Sequence, residues 1–196
     1  MPETPSAARR SERARSAILT ATAALIHEVP YAKLTIEAIA ARAGVGKQTI
    51  YRWWPSKGAV VLDAMLERDS GPAGSALPDS GDLRADLRLL LRGAAAALAD
   101  TTESAFLRAM YVEIQQDPKI HHHYRERLLL PQRAALVARL RSAVDAGQVR
   151  ADADLELAVD LLLGPLQYRW SLGLDGLTDD YADAVLDAAL THLRPK

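Results

Sequence analysis

The chain has 196 residues, 49% of them apolar, with one Phe and no Cys, and a formal net charge of −1. This is ample for a packed core and excludes wholesale disorder, disulfides, thiolate metal sites and a cysteine nucleophile. No apolar run approaches the ~18 residues of a membrane span.

The net charge hides a division. Residues 1–58 carry nine Lys/Arg and four Asp/Glu, a balance of +5, whereas the remainder carries fifteen and twenty-one, a balance of −6. A polyanion partner for the first part alone would explain the split, as would a solvated basic face. Abundant Ala and Leu, with no β-branched runs between turn residues, point to an all-α chain. Arg9, Arg10, Arg13 and Arg15 stand in an Ala/Ser-rich start, but no apolar stretch or small-residue cleavage site follows. A cytoplasmic protein is therefore expected.

Residues 1–8 read as a loose arm. A first helix is predicted from about Arg9 to His27, with Ala14, Ile18, Ala21 and Leu25 on one stripe, ended by Pro30. Thr35 suits the N-cap of a second helix whose buried face is Ile36, Ile39, Ala40 and Ala43. Gly44-Val45-Gly46 interrupts it, and Lys47 to Trp54 forms a short third helix. Pro55-Ser56 breaks the chain before a fourth helix capped by Ser56, apolar at Val60, Val61, Ala64 and Met65 and reaching about Arg68. The Gly/Pro/Ser-rich stretch from Ser70 to Gly81 is the expected boundary, giving domains at 1–69 and 82–196 with a loop at 70–81.

Five more helices follow, about nine in all. The fifth is marked by Leu83, Leu87, Leu90, Leu91, Ala94 and Leu98, and the sixth spans about Glu103 to Gln116. The seventh runs from about Ile120 to Ala146 with a bend near Pro131, and the eighth from about Asp154 to Leu172 with a disturbance at Gly164-Pro165. The ninth runs from about Asp179 to Leu193.

Residues Ile36 to Pro55 fit a helix-turn-helix. Ala40 is small where the helices cross, Gly44 can take a left-handed turn, and Ile39, Ala43, Val45 and Ile50 form the shared seam. The outward residues of the third helix are Lys47, Gln48, Tyr51 and Arg52. Lys and Arg match the acceptors of guanine and Gln matches adenine, so a helix in the major groove would read bases with these residues. Thr49, Tyr51, Trp53 and Lys57 offer hydroxyl, ring N–H and ammonium donors suited to phosphate. At least one of Trp53 and Trp54 is expected to pack into the core.

The run TIEAIAARAGVGKQTIYRWWPSKGAVVLDAM resembles the N-terminal domain of the tetracycline-repressor (TetR) family of bacterial regulators. The likeness rests on the Thr-led second helix, the Gly-Val-Gly turn, the Thr-Ile-Tyr core, the aromatic pair and the Ser-Lys opening of helix four. It implies phosphate contacts at Thr35, Thr49, Tyr51 and Lys57 and base contacts at Lys47, Gln48 and Arg52. Trp53 departs from the His often seen in that family. The resemblance further implies a larger helical domain that dimerises and encloses a small-molecule effector. The implied activity is that of a ligand-released dimeric repressor on a pseudo-palindromic double-stranded operator, with a ligand-independent regulator or an activator as the alternative.

Dimerisation has support of its own. The eighth helix carries Leu157, Leu161, Pro165 and Tyr168 on one side and Val159, Leu163, Leu166 and Trp170 on another. The ninth keeps Asp183, Asp187 and Arg194 in one narrow stripe, with Tyr181, Val185, Leu186, Ala189, Leu190 and Leu193 spread more widely. Helices apolar nearly all round are buried twice, here against their own core and against a second copy. A homodimer through helices eight and nine is expected, with Leu186 and Leu190 as contact positions.

Phe106, Met110, Tyr111, Tyr124, Tyr168 and Trp170 could line the effector cavity or fill the core, and Arg169 and His122 could add polar contacts. His121-His122-His123 cannot share one ion on a helix, because successive residues point about 100° apart. No paired acid/base or nucleophile arrangement stands out, and neither an enzyme nor a cofactor is expected.

Overall fold

The computed structural model describes residues 5–69 and 77–195, and every regular element among them is helical. The helices are α1 (Pro5–Glu28), α2 (Ile36–Ala43), α3 (Lys47–Tyr51), α4 (Lys57–Asp69), α5 (Leu83–Ala99) and α6 (Thr101–Gln116). They continue with α7 (Pro118–Tyr124), α8 (Leu130–Asp145), α9 (Leu155–Ser171) and α10 (Asp179–Leu193), and a short 3-10 turn covers Tyr31–Lys33. The expected eighth and ninth helices are thus α9 and α10. Part of the expected loop, residues 70–76, and the first four residues of the expected arm lie outside the described residues.

The described part of the arm differs from expectation. Residues 5–8 are already helical, so α1 begins about one turn before Arg9. The expected single seventh helix is α7 and α8 joined by a π-helical turn at Arg125–Leu129. Pro131, in the first turn of α8, brings no N–H and crowds the carbonyl four residues earlier; the wider turn sits just where that crowding falls. At Pro165, by contrast, α9 continues unbroken to Ser171.

The chain packs as two units, Met1–Gly74 with Ala105–Arg127, and Ser75–Ser104 with Leu128–Lys196. Thus most of α6 and all of α7, expected in a domain at 82–196, pack with the helix-turn-helix instead. In the first unit α1 lies against α2, α3 and α4, and α4 against α7. Ile18 and Leu19 from α1, Ile39 from α2, Ile50 from α3 and Val60 and Val61 from α4 are fully buried. Each such side chain contributes about 1.5–3 kcal/mol relative to exposure. A Cβ on Gly58 would come within 2.6 Å of Ile120 Cδ1, so a larger residue there would push the end of that side chain aside where α4 meets α7.

The second unit is built from α5, α8, α9 and α10 around Leu87, Leu91, Leu140, Val159, Leu162, Leu166 and Leu186. Arg84, Arg88 and Arg92, one turn apart on α5, face Asp187, Asp183 and Asp179 on α10. Arg92 grips Asp183 with two bonds of 3.0 and 2.8 Å and Arg84 bonds Asp187. The Asp183 carboxyl is held below its usual range, first by the Arg92 hydrogen bonds. The charged stripe seen in the ninth helix is therefore one side of an ion-pair ladder. A second polar feature is buried outright. Asp86 accepts Arg139 Nε at 3.0 Å and Nη2 at 2.7 Å, and also the hydroxyl and N–H of Ser80.

Candidate nucleic-acid interface

Thr35 has extended backbone angles and its hydroxyl oxygen accepts the N–H of Ala38 at 3.1 Å, which starts α2 where the sequence places it. Gly44 ends α2 in the left-handed region, φ 67° and ψ 33°, and donates to Ala40 and Ala41. The N–H of Val45 returns to the Ala40 carbonyl at 3.0 Å, closing the turn. A residue with a Cβ would hold that backbone at a cost of about 1–2 kcal/mol.

Two side chains then fix α3. Ile50 is fully buried, and Trp54, just past the helix, is 3% exposed with its indole N–H donating to Asp63 Oδ2 at 2.8 Å. Asp63 on α4 also pairs through Oδ1 with His123 Nε2 of α7 at 2.6 Å, and Arg15 of α1 approaches it at 3.9 Å. One carboxylate therefore joins the exit of α3 to α1, α4 and α7. The sequence reading passed over it; a lone Asp among the apolar residues of α4, nine residues after a tryptophan, was the available signal.

With those anchors inward, Lys47, Gln48, Tyr51 and Arg52 are exposed on the opposite face, Thr49 is half-buried, and Trp53 is 39% exposed. The Arg52 guanidinium lies 5.9 Å from the Trp53 ring centre. The tryptophan pair is split as expected, one in the core and one outside. Lys47 bonds Glu37 at 2.9 Å, which holds its ammonium above the usual lysine range. Arg42 grips Glu28 with two bonds of 2.9 and 2.6 Å. Lys57 donates to the Tyr31 carbonyl at 3.0 Å and stands 3.9 Å over that ring, so it is tied down rather than extended into solvent. Burial, then the nearby Glu113 carboxylate, pushes the Tyr31 phenol up.

The aromatic candidates for an effector cavity separate. In the first unit Phe106 and Met110 are buried, Phe106 edge-on to Tyr31 with ring centres 5.5 Å apart. Tyr111 is 37% exposed and Tyr124 is half-buried. Burial, then the neighbouring Tyr111, pushes the Tyr124 phenol up. In the second unit Trp170 is buried with its indole N–H on Ser104 Oγ at 2.8 Å, while Tyr168 points outward at 62% exposure. His122 is exposed, and Arg169 stacks on Tyr181 at 4.2 Å.

The outward face of the second unit is apolar. Leu157, Leu161 and Tyr168 of α9 are exposed while Val159, Leu166 and Trp170 fill the core, the two-sided pattern expected of this helix. Beside them a groove of about 390 Å³ is lined by Leu161, Pro165, Tyr181, Ala184, Ala188 and His192. One expectation fails here. Leu186 is 0% exposed and belongs to its own unit's core, because the arginines of α5 rotate the acidic stripe of α10 toward themselves and turn Leu186 inward. Among the described residues no helix is long and apolar enough to cross a membrane, and no group of three His, Asp or Glu is placed to hold a metal ion.

Residues 18–64 match the family model of bacterial regulatory proteins of the tetR family, and residues 77–189 match the tetracyclin repressor-like C-terminal domain. The chain is 32% identical over 180 residues to an HTH-type transcriptional regulator, YdeS, of Bacillus subtilis, covering 91% of this chain and 89% of that one. It is 30% identical over 191 residues to a DNA-binding transcriptional repressor, TetR, of Mycobacteroides abscessus, covering 95% and 97%. The crystal structure of the TetR family regulator SCO0332 superposes with a TM-score of 0.78 at 33% identity, over 93% of this chain and 99% of that one. With a left-handed glycine turn presenting a polar α3 and both halves matched, the chain belongs to the TetR family of transcriptional regulators, proteins that bind operator DNA as dimers and are not enzymes.

Proposed function

We propose that this regulator is a ligand-released repressor in which Lys47, Gln48 and Arg52 read bases while Thr35, Thr49, Tyr51, Trp53 and Lys57 position the backbone of the duplex. The observation that carries the assignment is the outward row Lys47, Gln48, Tyr51 and Arg52, held by the buried Ile50 and Trp54 behind it. Lys47 exchanges Glu37 for its DNA partner on docking. Lys57 keeps one of its three donors on the Tyr31 carbonyl and offers the others to phosphate. Residues 1–69 serve DNA, and 82–196 serve pairing and the effector.

The second copy is proposed to cover the exposed apolar faces of α9 and α10, supported by Leu157, Leu161, Tyr168 and the Ala184–Ala188 groove. Two recognition helices about 34–36 Å apart, or a multiple of that, then meet a pseudo-palindrome. An effector releases DNA only by its differential affinity for two dimer geometries, and DNA weakens the effector by the same factor.

Selection of bound sequences from random duplexes, followed by filter binding, tests the DNA assignment. Arg52→Ala is expected to cost about 1–3 kcal/mol and relax one operator position, whereas Lys57→Ala weakens all sequences alike. An unchanged selected motif for Arg52→Ala would remove Arg52 from base readout.

A further inference from the structure

Nine cations account for the positive charge of residues 1–58, and the helix-turn-helix does not hold most of it in readiness for DNA. Lys47 is paired with Glu37, Arg42 with Glu28, and Arg15 with Glu67 at 2.7 Å, while Lys57 is bound to the Tyr31 carbonyl. Three more stand together on the early turns of α1, Arg9, Arg10 and Arg13, all exposed. Arg9 and Arg13 are one turn apart and share a face, and neither forms an ion pair with any described residue. All three precede residues 18–64, the stretch that matches the family's N-terminal model, so they are not part of the shared motif.

The position of the cluster follows from its neighbour. Arg15 is fixed to Glu67 and lies 3.9 Å from Asp63, the carboxylate that holds Trp54 at the exit of α3. At 1.5 Å of rise per residue, Arg13 stands about 3 Å and Arg9 about 9 Å farther along α1 from that anchor. The arginines are thus borne on a helix whose base is bolted beside the recognition helix. Guanidinium forks match phosphate oxygens two at a time, and a pair already carried on a helix has little backbone freedom left to lose on binding.

We infer that Arg9 and Arg13 form a second DNA contact, gripping the phosphate backbone adjoining the groove segment that α3 reads. This rests on the reading of α3 as the recognition helix and extends the footprint of each protomer beyond it.

The test uses the full chain and a duplex selected by the wild-type protein. The double variant Arg9→Gln/Arg13→Gln keeps good helix formers in α1, and far-ultraviolet dichroism checks its fold. Each phosphate contact contributes about 0.9 to the slope of log affinity on log salt, so two arginines on each of two protomers should flatten it by about 3–4. Backbone cleavage footprinting should show a shorter protected stretch, with the selected base motif unchanged. Arg194→Gln, an exposed arginine of the second unit, should alter neither. A folded double variant with wild-type slope and footprint, or an equal flattening by Arg194→Gln, would overturn the inference. A wild-type chain that selects no sequence would instead defeat the assignment of α3.

Discussion

A chain carrying Leu161→Glu and Ala188→Glu is expected to run as a monomer at concentrations where the wild type is dimeric, and to bind a two-half-site operator at least a hundredfold more weakly. Both residues are exposed in the isolated protomer and line the groove beside α9 and α10, so neither change disturbs the subunit's own core. In a two-fold interface each change occurs twice, placing four carboxylates in one apolar contact. Burying even one unpaired charge costs several kcal/mol. Loss of the dimer separates two recognition helices that otherwise bind one duplex at a mutual concentration in the millimolar range, which accounts for the size of the effect. Equilibrium sedimentation and filter binding check both parts. A dimeric variant, or a monomer with undiminished operator affinity, would show that the pairing surface lies elsewhere. Leu186→Glu offers no such test, since that side chain is fully enclosed and its replacement would unfold the unit.

Removing the buried carboxylate of Asp86 should cost more stability than any surface change, about 3–5 kcal/mol in urea unfolding, because it leaves the Arg139 guanidinium enclosed without its main partner. Arg139 is 5% exposed and among the described residues otherwise reaches only the Pro78 carbonyl at 3.2 Å and the rim carboxylate of Asp79 at 3.4 Å. Asp86→Leu with Arg139→Met, which removes both charges, should recover much of the loss. The pH dependence follows. Burial opposes ionisation of Asp86, but the bonds from Ser80 and Arg139 outweigh it and hold the carboxyl below its ordinary 3.8. Its contribution is complete above that value and is lost as pH falls below it. The wild-type and Asp86→Ala curves should therefore be far apart at pH 7 and converge in strong acid. Curves that stay parallel down to pH 2 would contradict the role given to this pair.

These cases mark what the sequence could and could not convey. Thr35, Gly44 and Ile50 act within a few residues of themselves, through a cap, a turn and a seam, and local chemistry of that kind is visible in the order of residues alone. The two-sided pattern of α9 was legible for a similar reason, since helical period alone separates Leu157 and Leu161 from Val159 and Leu166. Asp86 and Arg139 are 53 positions apart, and nothing local tells such residues from solvated charges until tertiary packing encloses them. The ladder of Arg84, Arg88 and Arg92 against the acids of α10 could have been found, because both rows repeat every four residues; it would have turned Leu186 inward on paper. Lys57 and Tyr31 meet 26 positions apart, and a carbonyl partner leaves no mark in composition.

The three tryptophans stand in three different surroundings, which makes the molecule its own optical probe. Trp53 is partly open to water beside Arg52, Trp54 is sealed with its indole on a carboxylate, and Trp170 is sealed with its indole on the Ser104 hydroxyl. Indole emission shifts to the red as water reaches the ring, so Trp53 supplies the red edge of the spectrum and the other two the blue. On the proposed docking, a duplex laid along α3 is expected to exclude water from Trp53 and to leave Trp170 as it was. Binding of DNA and rearrangement of the second unit are therefore separable by wavelength in one unlabelled sample.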